Sequence, residues 1–193
     1  MALHPHVQDF YREWLGKADN YQEENLSSYF NKAFSLFTLY NKLYAEATFI
    51  LARNGEITLN ERRGFPDRKG ATEYAPKFMG HDHLMNIFSN DQECTSSISE
   101  LIEHINIENF YIKLSMPYGE RQPNKDRDLA QRMRSTGAKT KVEAVLDLIY
   151  SVRCNMFHGN KQFDQVQVAL LKPVTIIIRK VIVELYRKLS VEV

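Results

Sequence analysis

Apolar residues along this chain recur at helical spacing. Between Ser27 and Gly55 the residues Phe30, Phe34, Phe37, Tyr40, Leu43, Tyr44, Ala47, Ile50 and Leu51 fall mostly three or four apart. That spacing predicts one long, aromatic-rich core helix, with serines at its start and Asn54-Gly55 as its stop. Before it, Phe10, Trp14 and Leu15 mark a shorter amphipathic helix. The stretch from Asn54 to Gly70 loses the pattern and reads as an exposed loop with functional potential. From Ala71 to Ser89, Pro76 and Gly80 interrupt the apolar positions, so a broken helix is predicted.

Ser97 and Glu100 form a capping box ahead of Ile98, Leu101, Ile102 and Ile105, predicting a short helix from there. "RDLAQRMRSTG" predicts another, stopped near Gly137. Thr140 and Glu143 form a second capping box, followed by the stripe Val142, Val145, Leu146, Ile149, Val152 and Met156, with Gly159 suited to the C-terminal turn. The last segment is β-branched, but its length and the spacing of Val174, Ile177, Ile178, Val181, Leu185 and Leu189 favour helix, with Pro173 expected to kink it or begin a new one. "NFYIKL" is the best strand candidate and is short. The whole pattern predicts an all-α, up-and-down helical bundle with two or three long helices, as one domain over 1–193.

Composition narrows the function classes. A formal charge of +1 does not by itself attract a polyanion, so any nucleic-acid reading depends on where the charges lie. Cys94 and Cys154 form no CxxC pair, which argues against a zinc ribbon or a disulfide framework. The N-terminal stretch is too polar for a signal peptide, and Arg179 and Lys180 cut the most apolar run, so a cytoplasmic protein without membrane insertion is expected. Phosphate-loop, dinucleotide and nucleophile-elbow motifs are missing from the sequence. His81 and His83 flank Asp82, but two positions apart they diverge by about 200° on a helix, which argues against a metal site.

Two features carry chemistry. From Arg121 to Lys141, seven basic residues face only Asp126 and Asp128, a local excess of +5 in which Arg132 and Arg134 are candidate phosphate contacts. The second is "RCNMFHG", Arg153 to Gly159. A histidine near neutrality can take or give a proton at a ribose 2′-hydroxyl or a leaving oxygen, and an arginine can fork onto a phosphate. Asn155 is three positions before His158 and shares its helical face, whereas Arg153 is about 140° away. Convergence of Arg153 and His158 therefore needs a broken helix end, a bending side chain, or a second copy across a two-fold axis. The plainer alternative is a helix end at which His158 complements the dipole and Arg153 is a solvated charge.

These residues resemble the HEPN domain family, whose signature is an arginine, four to six residues, then a histidine; here it is Arg153, four residues and His158. The fuller form RxNxxHGxK adds Asn155, Gly159 and Lys161, and the resemblance covers roughly Thr140 to the C-terminus. It implies a helical bundle that dimerises with its two motifs facing each other, and a metal-independent endoribonuclease needing no cofactor, of the kind found among toxins, antiphage effectors and RNA-processing factors. His158 would then be general base or acid, Arg153 would bind the scissile phosphate, and Asn155 would support them. Lys161, Arg132 and Arg134 would be RNA-backbone contacts, and an antitoxin or regulatory partner is a further expectation. Cys154 stands where many members carry a polar residue, commonly Asn. The alternative implied is a non-catalytic HEPN-like module binding nucleotide, RNA or a protein partner.

Overall fold

The structure, a computed structural model, describes residues 3–60, 64–115, 118–157 and 166–192. It is all-α, and among the described residues β pairing is confined to one antiparallel bridge, Leu114 with Arg121. The "NFYIKL" candidate thus ends in a single bridge, not a strand.

Three long helices frame the molecule: α2 (Leu26–Arg53), α8 (Ala138–Phe157) and α9 (Val166–Glu192), with α1 (Pro5–Asp19) against α2. Asn25, not a serine, caps α2, its side chain accepting from the Ser28 N–H at 2.8 Å. Asn54 ends the helix, and Gly55 turns the chain away at φ 74°. Most of the predicted stripe is buried, with Phe37, Leu43 and Tyr44, and beside them Leu36 and Leu39, almost without solvent exposure, whereas Phe34 is exposed. Each such side chain contributes about 1.5–3 kcal/mol relative to leaving it in water. α9 runs through Pro173 as one helix, so no new helix begins there. Its neighbours Leu170, Leu171, Val174, Ile177 and Ile178 are all buried, which helps explain why packing outweighs the missing backbone donor.

Between α2 and α8 the chain makes shorter turns. α3 (Asp67–Lys69), a π-helical turn (Gly70–Tyr74) and α4 (Ala75–Met79) run on without a gap, then Gly80 at φ 94° breaks the path before α5 (His81–Asn90). A Cβ on Gly70 would lie 3.1 Å from a Tyr44 ring carbon and 3.2 Å from Phe65, so only glycine lets this turn approach α2 so closely. Tyr40 secures it by donating its hydroxyl to the Ala71 carbonyl at 2.6 Å.

Three predicted helix starts move. α6 (Gln92–Asn106) is capped by Asp91, which accepts from the Cys94 N–H at 3.0 Å, leaving Ser97 buried inside the helix. α7 (Pro123–Met133) begins with proline at its first turn and closes on Arg134, ahead of Gly137. α8 starts at Ala138, so Thr140 is already helical. In the first and last cases a capping-box pattern matched by residue type, while the helix itself begins earlier, at Gln92 behind the Asp91 cap and at Ala138.

Candidate functional site

Arg153 lies in the last turn of α8, and the structure assembles four polar partners around it. Its Nη1 donates to Asp67 Oδ2 at 2.7 Å. Tyr150, one turn back on the same helix, donates to that same oxygen at 2.9 Å, and Tyr44 of α2 donates to Asp67 Oδ1. Asn41, oriented as its neighbours require, accepts from Arg153 Nη2 at 2.9 Å and donates to the Tyr44 hydroxyl at 3.0 Å. The guanidinium also faces the rings of Tyr150 and Phe157, 5.5 Å from each centroid. Its Nε is buried without a hydrogen-bond partner among the described residues.

The charges settle each other. Burial pushes the Asp67 carboxyl up, but the hydrogen bonds from Tyr44 and Tyr150 and the Arg153 charge outweigh it and hold the group below the usual carboxylate range. Burial, then the bond to Asp67 and its charge, push the Tyr44 hydroxyl well above its ordinary value, and burial, the neighbouring Cys154 and Asp67 do the same for Tyr150. Arg153, despite burial, is held more firmly protonated by Asp67. The result is an oriented, partly exposed cation whose position is set by α2, α3 and α8 together.

Beyond the Tyr150 and Phe157 rings that face this cation lie further aromatic side chains. Phe34 of α2 stacks on Phe157 of α8 with ring centroids 5.2 Å apart, and the two remain 40% and 47% exposed. Phe65 lies between Tyr44 and Phe49, at 6.2 and 5.6 Å, and both Phe65 and Phe49 are exposed. Phe157 and Phe34 thus give Arg153 an exposed apolar flank, and Phe65 with Phe49 forms a second exposed aromatic pair beside Tyr44.

The structure does not bring Asn155 to Arg153. Two positions on, it points to the other side of α8, where its buried amide donates to the Ile112 carbonyl at 2.9 Å. From α7, the buried Asp126 accepts from the N–H groups of Ile112 at 3.2 Å and Lys113 at 2.8 Å. These two side chains clamp the segment before the Leu114 bridge and aim Lys113 at α8. Its ammonium meets Asp147 at 2.8 Å and donates to Ser151 Oγ, also at 2.8 Å.

Asp147 is the centre of a second cluster. Besides Lys113 it accepts from Arg68 Nη2 at 2.8 Å and Arg132 Nη2 at 3.4 Å, while Arg132 Nε reaches Asp128 at 2.9 Å. Burial pushes the Asp147 carboxyl up, but the surrounding cations win and hold it below the ordinary range. Arg132 thus belongs to a built cluster, whereas Arg134 is exposed at the end of α7 and outside it. His158, Gly159 and Lys161 lie outside the described residues.

Sequence reasoning missed Asp67, Tyr44, Asn41 and Asp147. Asp67 and Arg68 lie in the stretch singled out as a functional loop, but no local signal links them to residues about 80 positions on. His81 and His83 face carboxylates of different helices, Glu143 at 3.3 Å and Glu184 at 2.7 Å. Among the described residues no group of three or more His, Cys, Asp or Glu could hold a metal ion, and no helix is long and apolar enough to cross a membrane. Compared with known proteins, the chain matches no family model, no curated protein and no solved structure.

Proposed function

We propose that this chain is a metal-independent endoribonuclease of HEPN type, acting as a homodimer in a toxin or antiphage-defence role. The observation that carries this reading is Arg153: a preorganised, partly exposed guanidinium near the end of a long helix, flanked by the exposed Phe157 and its stacking partner Phe34. Such a cation suits a scissile phosphate, and the aromatic faces suit unstacked bases on either side. His158, one residue past Phe157, takes the 2′-hydroxyl proton. The 2′-oxygen then attacks phosphorus and the 5′-oxygen leaves with a proton from a second acid. The products are a 2′,3′-cyclic phosphate and a 5′-hydroxyl, and DNA resists because it lacks the nucleophile. In a dimer the partner's copy of the same histidine supplies the acid, so one sequence motif provides both roles.

A second reading, a non-catalytic module that binds nucleotide, RNA or a protein partner, is favoured by one observation. Both terminal nitrogens of Arg153 are already engaged within the chain, by Asp67 and Asn41.

The deciding experiment incubates the purified protein with single-stranded and structured RNA, with and without EDTA, beside Arg153→Ala and His158→Ala. Cleavage that survives EDTA and falls about 10²-fold or more in both variants is expected. RNA left intact by the wild-type protein at high concentration transfers the chain to the second reading.

A further inference from the structure

A cavity of about 330 Å³ opens beside the Asp147 cluster, bounded by Arg68, Lys113, Gln122, Lys125, Arg132 and Asp147. Leu114 and Asp128 complete its wall. The cations of this wall are Arg68, Lys113, Lys125 and Arg132, against the carboxylates of Asp128 and Asp147, an excess of two positive charges.

The wall is built, not accidental. Asp147 is almost fully buried and gathers three cations from three different parts of the chain. Even with Asp128 on Arg132, Asp147 leaves these three mutually repelling cations short of one negative charge, and Lys125 adds another positive one. Lys113 records this: burial lowers its affinity for the proton, Asp147 opposes that, and Arg68 and Arg132 lower it further. Its position is nevertheless enforced by Asn155 and Asp126 through the backbone of Ile112 and Lys113. Asp147 therefore reads as the group that orients the cations, and the charge they leave uncompensated faces the cavity.

We propose that this cavity binds the phosphoryl group of a phosphomonoester, carried either by a free ribonucleotide or by a phosphorylated RNA end. Two net positive charges match the dianion of a monoester better than the single charge of a backbone diester. The arginine forks and the ammonium suit its tetrahedral oxygens. A volume near the lower end of small-ligand pockets accommodates a phosphate with part of its nucleoside. The site is separate from the Arg153 cluster, since Asp67 and Arg68, adjacent in α3, turn to different partners. Its occupancy therefore does not depend on RNA cleavage.

The test is calorimetric titration of the full chain at low salt with inorganic phosphate, AMP and adenosine. Arg68→Gln and Lys125→Gln are run in parallel; both side chains are exposed, and unchanged thermal melts confirm that the variants fold. Saturable one-to-one binding of AMP but not adenosine, weakened about tenfold or more in each variant and by added salt, is expected. AMP binding well above phosphate assigns the site to nucleotides. Phosphate binding as well as AMP, with a 5′-phosphorylated RNA oligonucleotide preferred over its 5′-hydroxyl form on the His158→Ala background, assigns it to RNA ends. Absence of saturable binding by both phosphate and AMP overturns the proposal, as do variants that bind as tightly as wild type. Loss of nuclease activity with binding intact would remove the proposed ribonuclease and leave this site standing.

Discussion

Asp67 and Asn155 hold the two clusters from opposite sides of α8, and their removal should read differently. Asn155→Ala strips the buried Ile112 carbonyl of its donor, and an unsatisfied buried group costs about 1–3 kcal/mol. Chemical denaturation should show that loss, while Arg153 keeps its Asp67, Tyr150 and Asn41 contacts. If instead Asn155→Ala leaves stability unchanged and abolishes RNA cleavage, the residue acts at the chemistry as the motif resemblance implies. Asp67 is partly exposed, so its ion pair with Arg153 is screened, and Asp67→Asn should cost only about 1 kcal/mol. The sign of the pH effect follows from the direction of the shift. Asp67 is held below the ordinary 3.8 when folded, so its contribution is present above about pH 4 and lost as pH falls through the folded value. Denaturation from pH 5 to pH 3 should thus narrow the gap between wild type and Asp67→Asn; a gap that stays constant would deny Asp67 this role.

At the scale of elements, the long helices were legible because their apolar stripes span several turns, and the stripes of α2, α8 and α9 supply much of the core, with Phe34 left exposed. What escaped was local competition. Ser97 and Thr140 carry capping chemistry, yet Asp91 caps α6 six residues earlier and α8 is already helical from Ala138, so a matching residue pattern did not mark the true start in either helix. The Asp67 pairing was invisible for another reason: it joins α3 to α8 across 86 positions, and pattern reading sees only neighbours. The predicted break at Gly80 was legible, and it makes a test. At φ 94° a side chain is strained, and Gly80→Ala should cost about 1–3 kcal/mol. For a chain of this size that corresponds to a melting point lower by several degrees. A Gly80→Ala protein that melts with wild type would mean the turn between α4 and α5 relaxes into an ordinary bend. Gly55, also at positive φ with open space around it, should show a backbone cost of the same kind on substitution by Ala.

For the molecule as a whole, the aromatic face around Arg153 should decide how the site is completed. Phe34 and Phe157 stack on each other yet remain roughly half exposed, so replacing both with serine removes surface without opening the core. If two copies pair through this face, wild-type protein should run at twice its 22.5 kDa chain mass by light scattering across micromolar concentrations, and the double variant at 22.5 kDa. RNA cleavage should fall with the dimer and recover partly as the variant is concentrated, because a composite site follows the population of pairs. If the phenylalanines serve instead as stacking platforms, mass stays unchanged and RNA affinity alone falls, by about 1–3 kcal/mol for each base that loses its aromatic partner. A wild-type protein that remains monomeric while cleaving RNA would place acid and base in one chain. The turn after Phe157 would then have to carry His158 round the 140° that separates it from Arg153 on a straight helix. The mass measurement therefore separates two architectures of the same chemistry.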